Sequence, residues 1–310
     1  ALPATNGEAI TDLECKIGAG AWTSLGGITT GNYDLTDAFT DGVPTNVLIR
    51  ARNANSNGTQ EAPDSDTKSV TTTNAGSSAP MIRGWKTLSF TGSGAQNLDL
   101  TAFEDGVNSD ITAAENDIVL VIFANSANSP STLTIDSSGY TILNPGTTRY
   151  VDDSSDVTVI AGYKRMGSTP DTTLTVNPNG ASTSQRKSAV AVIISGVNTT
   201  TATDDTGQIA SNNNTALIDC PAVTPAQASS LVVALGALAM ANNSVVIAGP
   251  ANMTGFIAVD TQSSTKTSAA FIAWKEHGNT AFDPDAITFS SGSDGTAYCW
   301  AGYTIVFKPA

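Results

Sequence analysis

Apolar residues recur along this chain either at every second position or in short unbroken runs, with clusters of Gly, Asn, Asp and Ser between them. Alternation places one set of side chains on a single face of an extended strand. An unbroken run of about four to eight residues reads as a strand covered on both faces. Leu13, Cys15 and Ile17 alternate, as do Tyr33 with Leu35, and Val47, Ile49 and Ala51. Six stronger stretches follow, at residues 117–124, 157–164, 188–196, 230–239, 268–275 and 299–308. From Met81 onward no segment of useful length carries the helical period. The pattern predicts an all-β protein.

The later part of the chain repeats itself. The run beginning at Ile118 aligns with the run at Leu231, Gly139-Tyr140-Thr141 with Gly255-Phe256-Ile257, and Ala161-Gly162-Tyr163-Lys164 with Ile272-Ala273-Trp274-Lys275. The run from Ala189 aligns with that from Tyr303, so the offsets fall between about 111 and 116 residues. Each half holds four or five strands, too few to close a core well, and the expected product is one ten-strand sandwich or jelly roll. The last apolar strand, 303–307, is expected at the middle of its sheet. The stretch NAGSSAP at 74–80 reads as a linker. The predicted organisation is a small module at 1–73, a linker at 74–84 and a duplicated β-sandwich at 85–310, with halves of roughly 85–200 and 201–310.

Composition narrows the partners. Only 14% of residues are charged, against about 25% in ordinary globular proteins, so Thr, Ser, Asn and Gly must supply the polar surface. That palette suits strands and their turns. Fourteen basic residues against 28 acidic ones give a net charge of −14, which argues against nucleic acid and anionic membranes as partners. No apolar run reaches the roughly 18 residues of a membrane helix. Cys15, Cys220 and Cys299 are far apart and sit beside apolar or strand-forming residues. They read as buried free thiols rather than a disulfide framework.

The segments ITDLECKIGAGAWTSLG at 10–26, YDLTDAFTDG at 33–42 and VLIRARNANSNG at 47–58 resemble a fibronectin type III repeat. DSDTKSVTTT at 64–73 looks like the last strand of that family. Thr45 stands where the family carries a core Tyr, and too few residues precede Ile10 for its first two strands. The resemblance therefore implies that a neighbouring copy or a further stretch of chain completes the sheet. Asn116-Asp117-Ile118-Val119, Gly139-Tyr140, Tyr163-Lys164 and Ile194-Ser195-Gly196-Val197 resemble a pattern that recurs in β-sandwich domains of tailed-phage structural proteins. It spans most of 85–310. The resemblance implies a part of a virion exterior, assembled in the host cytoplasm and displayed on the released particle.

Catalytic chemistry has little purchase. His277 is the single histidine and follows a strand in a turn-like stretch, where a surface role accounts for it. There is no nucleophile elbow, phosphate loop or Cys/His metal spacing. The oxygen-rich run containing Asp152, Asp153 and Asp156 is the candidate metal site, though it lacks a full calcium loop. Asp283 and Asp285 read as solvated turn residues. Trp22, Trp85, Trp274 and Trp300 read as packing residues rather than a sugar platform. The expected function is non-enzymatic: a capsid decoration, head fibre or tail component that binds other virion proteins and copies of itself, with no cofactor. The competing reading is a carbohydrate-binding adhesin that attaches to a host surface glycan; a polysaccharide-degrading enzyme rests only on the loop acids.

Overall fold

The computed structural model describes residues 10–17, 23–24, 45–53, 70–72 and 79–310, the last apart from 107–109, 128–131, 144–147, 151–155, 180–182, 184, 207–208, 214–216, 241–244, 263–266 and 292–297. The chain divides into two compact units, Ala1–Ser77 and Ser78–Ala310. All regular structure among the described residues is β-strand, in antiparallel sheets.

In the first unit β1 (Ile10–Ile17) lies between β2 (Thr23–Ser24) and β3 (Thr45–Asn53), and β4 (Val70–Thr72) pairs with β3. Cys15 stands opposite Ile49, and Ile17 opposite Val47, so the two alternating apolar sets share one register. Glu14, on the other face of β1, is nevertheless buried. The strand expected around Tyr33 and Leu35, and Trp22, lie outside the described residues. Of the last strand expected at 64–73, β4 occupies 70–72.

The second unit opens with β5 (Met81–Phe90), which begins inside the stretch expected as linker. There follow β6 (Gln96–Asp99), β7 (Ile118–Ala127), β8 (Thr134–Ile135), β9 (Thr141–Ile142), β10 (Thr148–Tyr150), β11 (Asp156–Arg165), β12 (Thr173–Asn177) and β13 (Arg186–Ser195). These form a six-stranded sheet in the order β10-β11-β7-β13-β5, with β9 also on β11, and a three-stranded sheet β6-β12-β8. The second half holds β14 (Thr203–Thr206), β15 (Ala210–Asn213), β16 (Leu217–Ile218), β17 (Ser230–Met240), β18 (Val245–Ala248), β19 (Gly255–Gln262), β20 (Thr267–His277), β21 (Ile287–Ser291) and β22 (Tyr298–Phe307). Its large sheet runs β14-β22-β17-β20-β19, with β15 also on β22, and its small sheet is β16-β21-β18. The strand that ends the repeat is thus internal, flanked on both sides.

The burial pattern explains the unbroken apolar runs. On β7, Val119, Val121 and Phe123 point into a core beneath the small sheet, with Leu98, Leu133, Leu174, Ala189 and Ile193. Ile118, Leu120, Ile122 and Ala124 point the other way, against Leu231, Val233, Leu235, Ala270 and Ile305 of the second half. The second half has its own inner core around Ala234, Leu238, Phe271, Ile287 and Trp300. Four layers result: small sheet, large sheet, large sheet, small sheet. The expected sandwich of ten strands is the inner pair of layers, here two six-stranded sheets, and each half additionally closes a core of its own.

The three central strands of each large sheet correspond, β11, β7 and β13 to β20, β17 and β22. Leu120 lies opposite Tyr163 and Val192, and Val233, 113 positions later, lies opposite Trp274 and Ile305. This register matches Val190 with Tyr303, one residue away from the alignment read from sequence at that strand. A slip of one would exchange the two faces. The turn before each central strand is also repeated: Asn116 and Ser229 both adopt positive φ, 68° and 58°. The next residue closes each turn. Asp117 accepts from the Ala114 N–H at 2.8 Å, and the Ser230 hydroxyl donates to Gln227 O at 2.9 Å. Burial raises the Asp117 carboxyl above its ordinary range, although that N–H and the Arg83 guanidinium, 2.6 Å away, oppose it.

Candidate functional site

Strand ends sort onto two ends of the second unit. At one, Met81 pairs with Ser195 and Ile118 with Arg165, and the halves meet where Asn198 N–H donates to Lys308 O and Ala310 N–H to Gly196 O. Arg165 fastens this end by donating to the carbonyls of Asn116 (2.8 Å), Val197 (3.3 Å) and Asn198. At the other end lie Phe90, Asn125, Thr158 and Lys187, with Met240 and Thr267 of the second half.

That second end is polar through the thickness of the first large sheet. Lys187, Asn125 and Thr158 stand side by side on β13, β7 and β11, facing the first half's own core, and all three are 0% exposed. Gln185 and Asp156 flank them and are also buried. The Asn125 amide donates to Gln185 Oε1 at 3.0 Å. The Lys187 ammonium donates to Gln185 O at 3.1 Å and approaches Thr91 O at 3.5 Å. Burial, and next the charge of Arg186, push the Lys187 pKa down from 10.5 to about 8. The matching row in the second half, read from the same register, is Trp300, Leu238 and Ala269. One half carries a buried polar row where its twin is apolar.

On the opposite face of the same strands the polar corner continues into the seam between the large sheets. The Ser188 hydroxyl donates to Ser268 O at 2.6 Å, and the Thr261 hydroxyl donates to Lys187 O at 2.5 Å. Each bond joins a side chain of one half to the backbone of the other. A buried hydroxyl bonded across layers keeps the halves in register at a net gain of about 1 kcal/mol.

Of the expected metal ligands, Asp156 belongs to this end as the buried first residue of β11, whereas Asp152 and Asp153 lie outside the described residues. No group of three or more metal-binding side chains occurs among the described residues. His277 ends β20 with its Nε2 3.1 Å from Thr280 Oγ1, its ring packed on Phe282 at 4.6 Å, and Lys275 Nζ 5.1 Å above that same ring. Trp300 is buried in the second half's core, and Trp85 and Trp274 pack against the seam. Cys220 and Cys299 are buried, and burial raises the Cys220 thiol far above its ordinary range. Sequence reading missed Lys187, Asn125 and Thr158 because each sits at the end of an apolar strand; the signal available was a polar residue at the edge of each of three runs destined to be neighbours.

The exposed face of the small sheet β6-β12-β8 carries a second polar array. Thr175 donates to Asn97 Oδ1 at 2.8 Å, Asn177 to Asp136 Oδ2 at 2.7 Å, and Asn179 to Thr134 Oγ1 at 3.0 Å. These bonds hold the amides, the hydroxyls and the Asp136 carboxylate in fixed positions. Comparison with family models, with curated proteins and with solved structures returns no match to this chain.

Proposed function

We propose that this protein is a non-enzymatic part of a virion exterior, docking through its first unit and displaying its second, and associating with further copies of itself. The observation that carries this reading is the division of ends in the second unit. The chain arrives from the first unit at the end holding Met81 and Ser195. The strand ends Phe90, Ala127, Asp156, Arg186, Met240, Thr267 and Tyr298 lie at the other, and the sequence next to them is rich in Ser, Thr, Asn, Asp and Gly. A module entered by the chain at one end, with polar sequence next to the strand ends of the opposite one, suits display. Light scattering of the full chain is expected to give a homo-oligomer, and co-sedimentation with assembled particles is expected at many copies per particle. A monomer at all concentrations that stays at the top of the gradient would refute the proposal.

The array on β6-β12-β8 favours a second reading, carbohydrate binding, because fixed amide, hydroxyl and carboxylate groups match the donors and acceptors of sugar hydroxyls. Binding on a glycan array that disappears in Asp136→Ala would support it. Binding unaffected by that substitution would place the glycan elsewhere, and no binding at all would remove the reading.

A further inference from the structure

Three buried polar atoms at the polar corner of the seam have no hydrogen-bond partner: Ser126 Oγ, Ser268 Oγ and Arg186 Nε. Ser126 is 2% exposed and Ser268 0%, and both continue the faces of β7 and β20 that pack across the seam. A hydroxyl buried without a partner costs about 1–3 kcal/mol, and native interiors satisfy the great majority of such groups. The positions related by the repeat are Ala239, Val157 and Cys299. That corner holds no hydroxyl at any of the three.

We infer that an ordered water molecule is bound in this corner, held by Ser126, Ser268 and Arg186. The placement follows from the ladder. Arg186 stands directly opposite Ser126 on β13 and β7. Ser188, two residues further along the same face, bonds to Ser268 O of the other half at 2.6 Å. One water joins polar atoms up to about 5.5 Å apart, two hydrogen-bond lengths. Buried waters make about three such bonds, the number of atoms left over here. The donor balance suits water, which accepts from Arg186 Nε–H and one hydroxyl while donating to the other. A halide would need both hydroxyls as donors, inside a chain of net charge −14. The two halves therefore meet through a seam that is dry at one corner and hydrated at the other.

A crystal structure of the full chain that resolves solvent tests this. A density peak within hydrogen-bond distance of at least two of the three atoms is expected, and it should vanish in a Ser126→Ala/Ser268→Ala double variant of unchanged fold. Water-to-amide cross-relaxation in solution should appear at residues 126 and 268 of the wild type and fall in the variant. A closed corner with both hydroxyls turned to backbone carbonyls would overturn the inference. So would a peak that survives the double variant, or an anomalous signal there after a bromide soak, which would identify an anion.

Discussion

Replacing Lys187 by Met should make the stability difference from wild type depend on pH. The lysine side chain is wholly buried at the end of the first half's core, beside Asn125 and Gln185, with Arg186 next to it in sequence. Its pKa stands at about 8 against an ordinary 10.5. At about 1.4 kcal/mol per tenfold, that gap corresponds to about 3 kcal/mol between the charge states. The folded state holds this proton less tightly than the unfolded one. Below about pH 8 both states are protonated and the cost of the buried cation is present in full. Between pH 8 and 10.5 the unfolded chain keeps a proton that the folded chain releases, so stability rises with pH, and above 10.5 no further change comes from this group. Met fills a similar volume without titrating. It forfeits the two carbonyl contacts, at about 0.5–1.5 kcal/mol each, but also the buried charge. Urea denaturation followed by tryptophan fluorescence, repeated from pH 7.5 to 10.5, should show wild type gaining about 3 kcal/mol on Lys187→Met across the window. Groups that titrate independently of this site are common to both proteins and cancel in the difference. A flat difference would refute the assignment of Lys187 as a buried, destabilised cation.

Gly236 sits at the middle of β17, where an added Cβ would lie 2.4 Å from the Phe271 ring and 2.6 Å from Ala301 O. Gly236→Ala should therefore cost about 1–3 kcal/mol in thermal or chemical melts. Ser229→Gly should be neutral or stabilise by up to about 1 kcal/mol, because glycine adopts the 58° φ of this turn without strain. Arg165→Met removes three bonds to carbonyls at the end where the halves join, and a loss of about 2–4 kcal/mol with faster amide exchange at 196–200 is expected. In a Cys15→Ser background, neither Cys220 nor Cys299 should react with a thiol reagent until denaturant is added, since both are buried.

The strands were legible because β-branched and apolar residues dominate them. The four-layer stack was harder to see. Residues 118–124 are apolar on both faces, since one face lines the seam and the other lines the first half's core. That erases the alternation from which a face could be assigned. The repeat was visible through its apolar cores and turn glycines, but its exact register depended on pairing between distant strands. The polar row illustrates the same limit: Lys187 and Asn125 are 62 residues apart and become neighbours only through the ladder. Asp156 drew attention through its acidic surroundings at 152–153, whereas its observed setting is the buried first position of β11, opposite Ala127.

Two like halves meeting back to back are what a symmetric dimer would present, except that here they share one chain. In a true dimer every substitution appears twice, once on each side of the axis, so a serine introduced at one corner is also imposed on the other. Covalent fusion removes that constraint. One corner can keep Ala239, Val157 and Cys299 while the other acquires Ser126, Ser268 and Arg186, and one inner core can keep Trp300 where the other takes Lys187. The duplicated unit can thus diversify one end of one half while its twin holds the packing that keeps both folded.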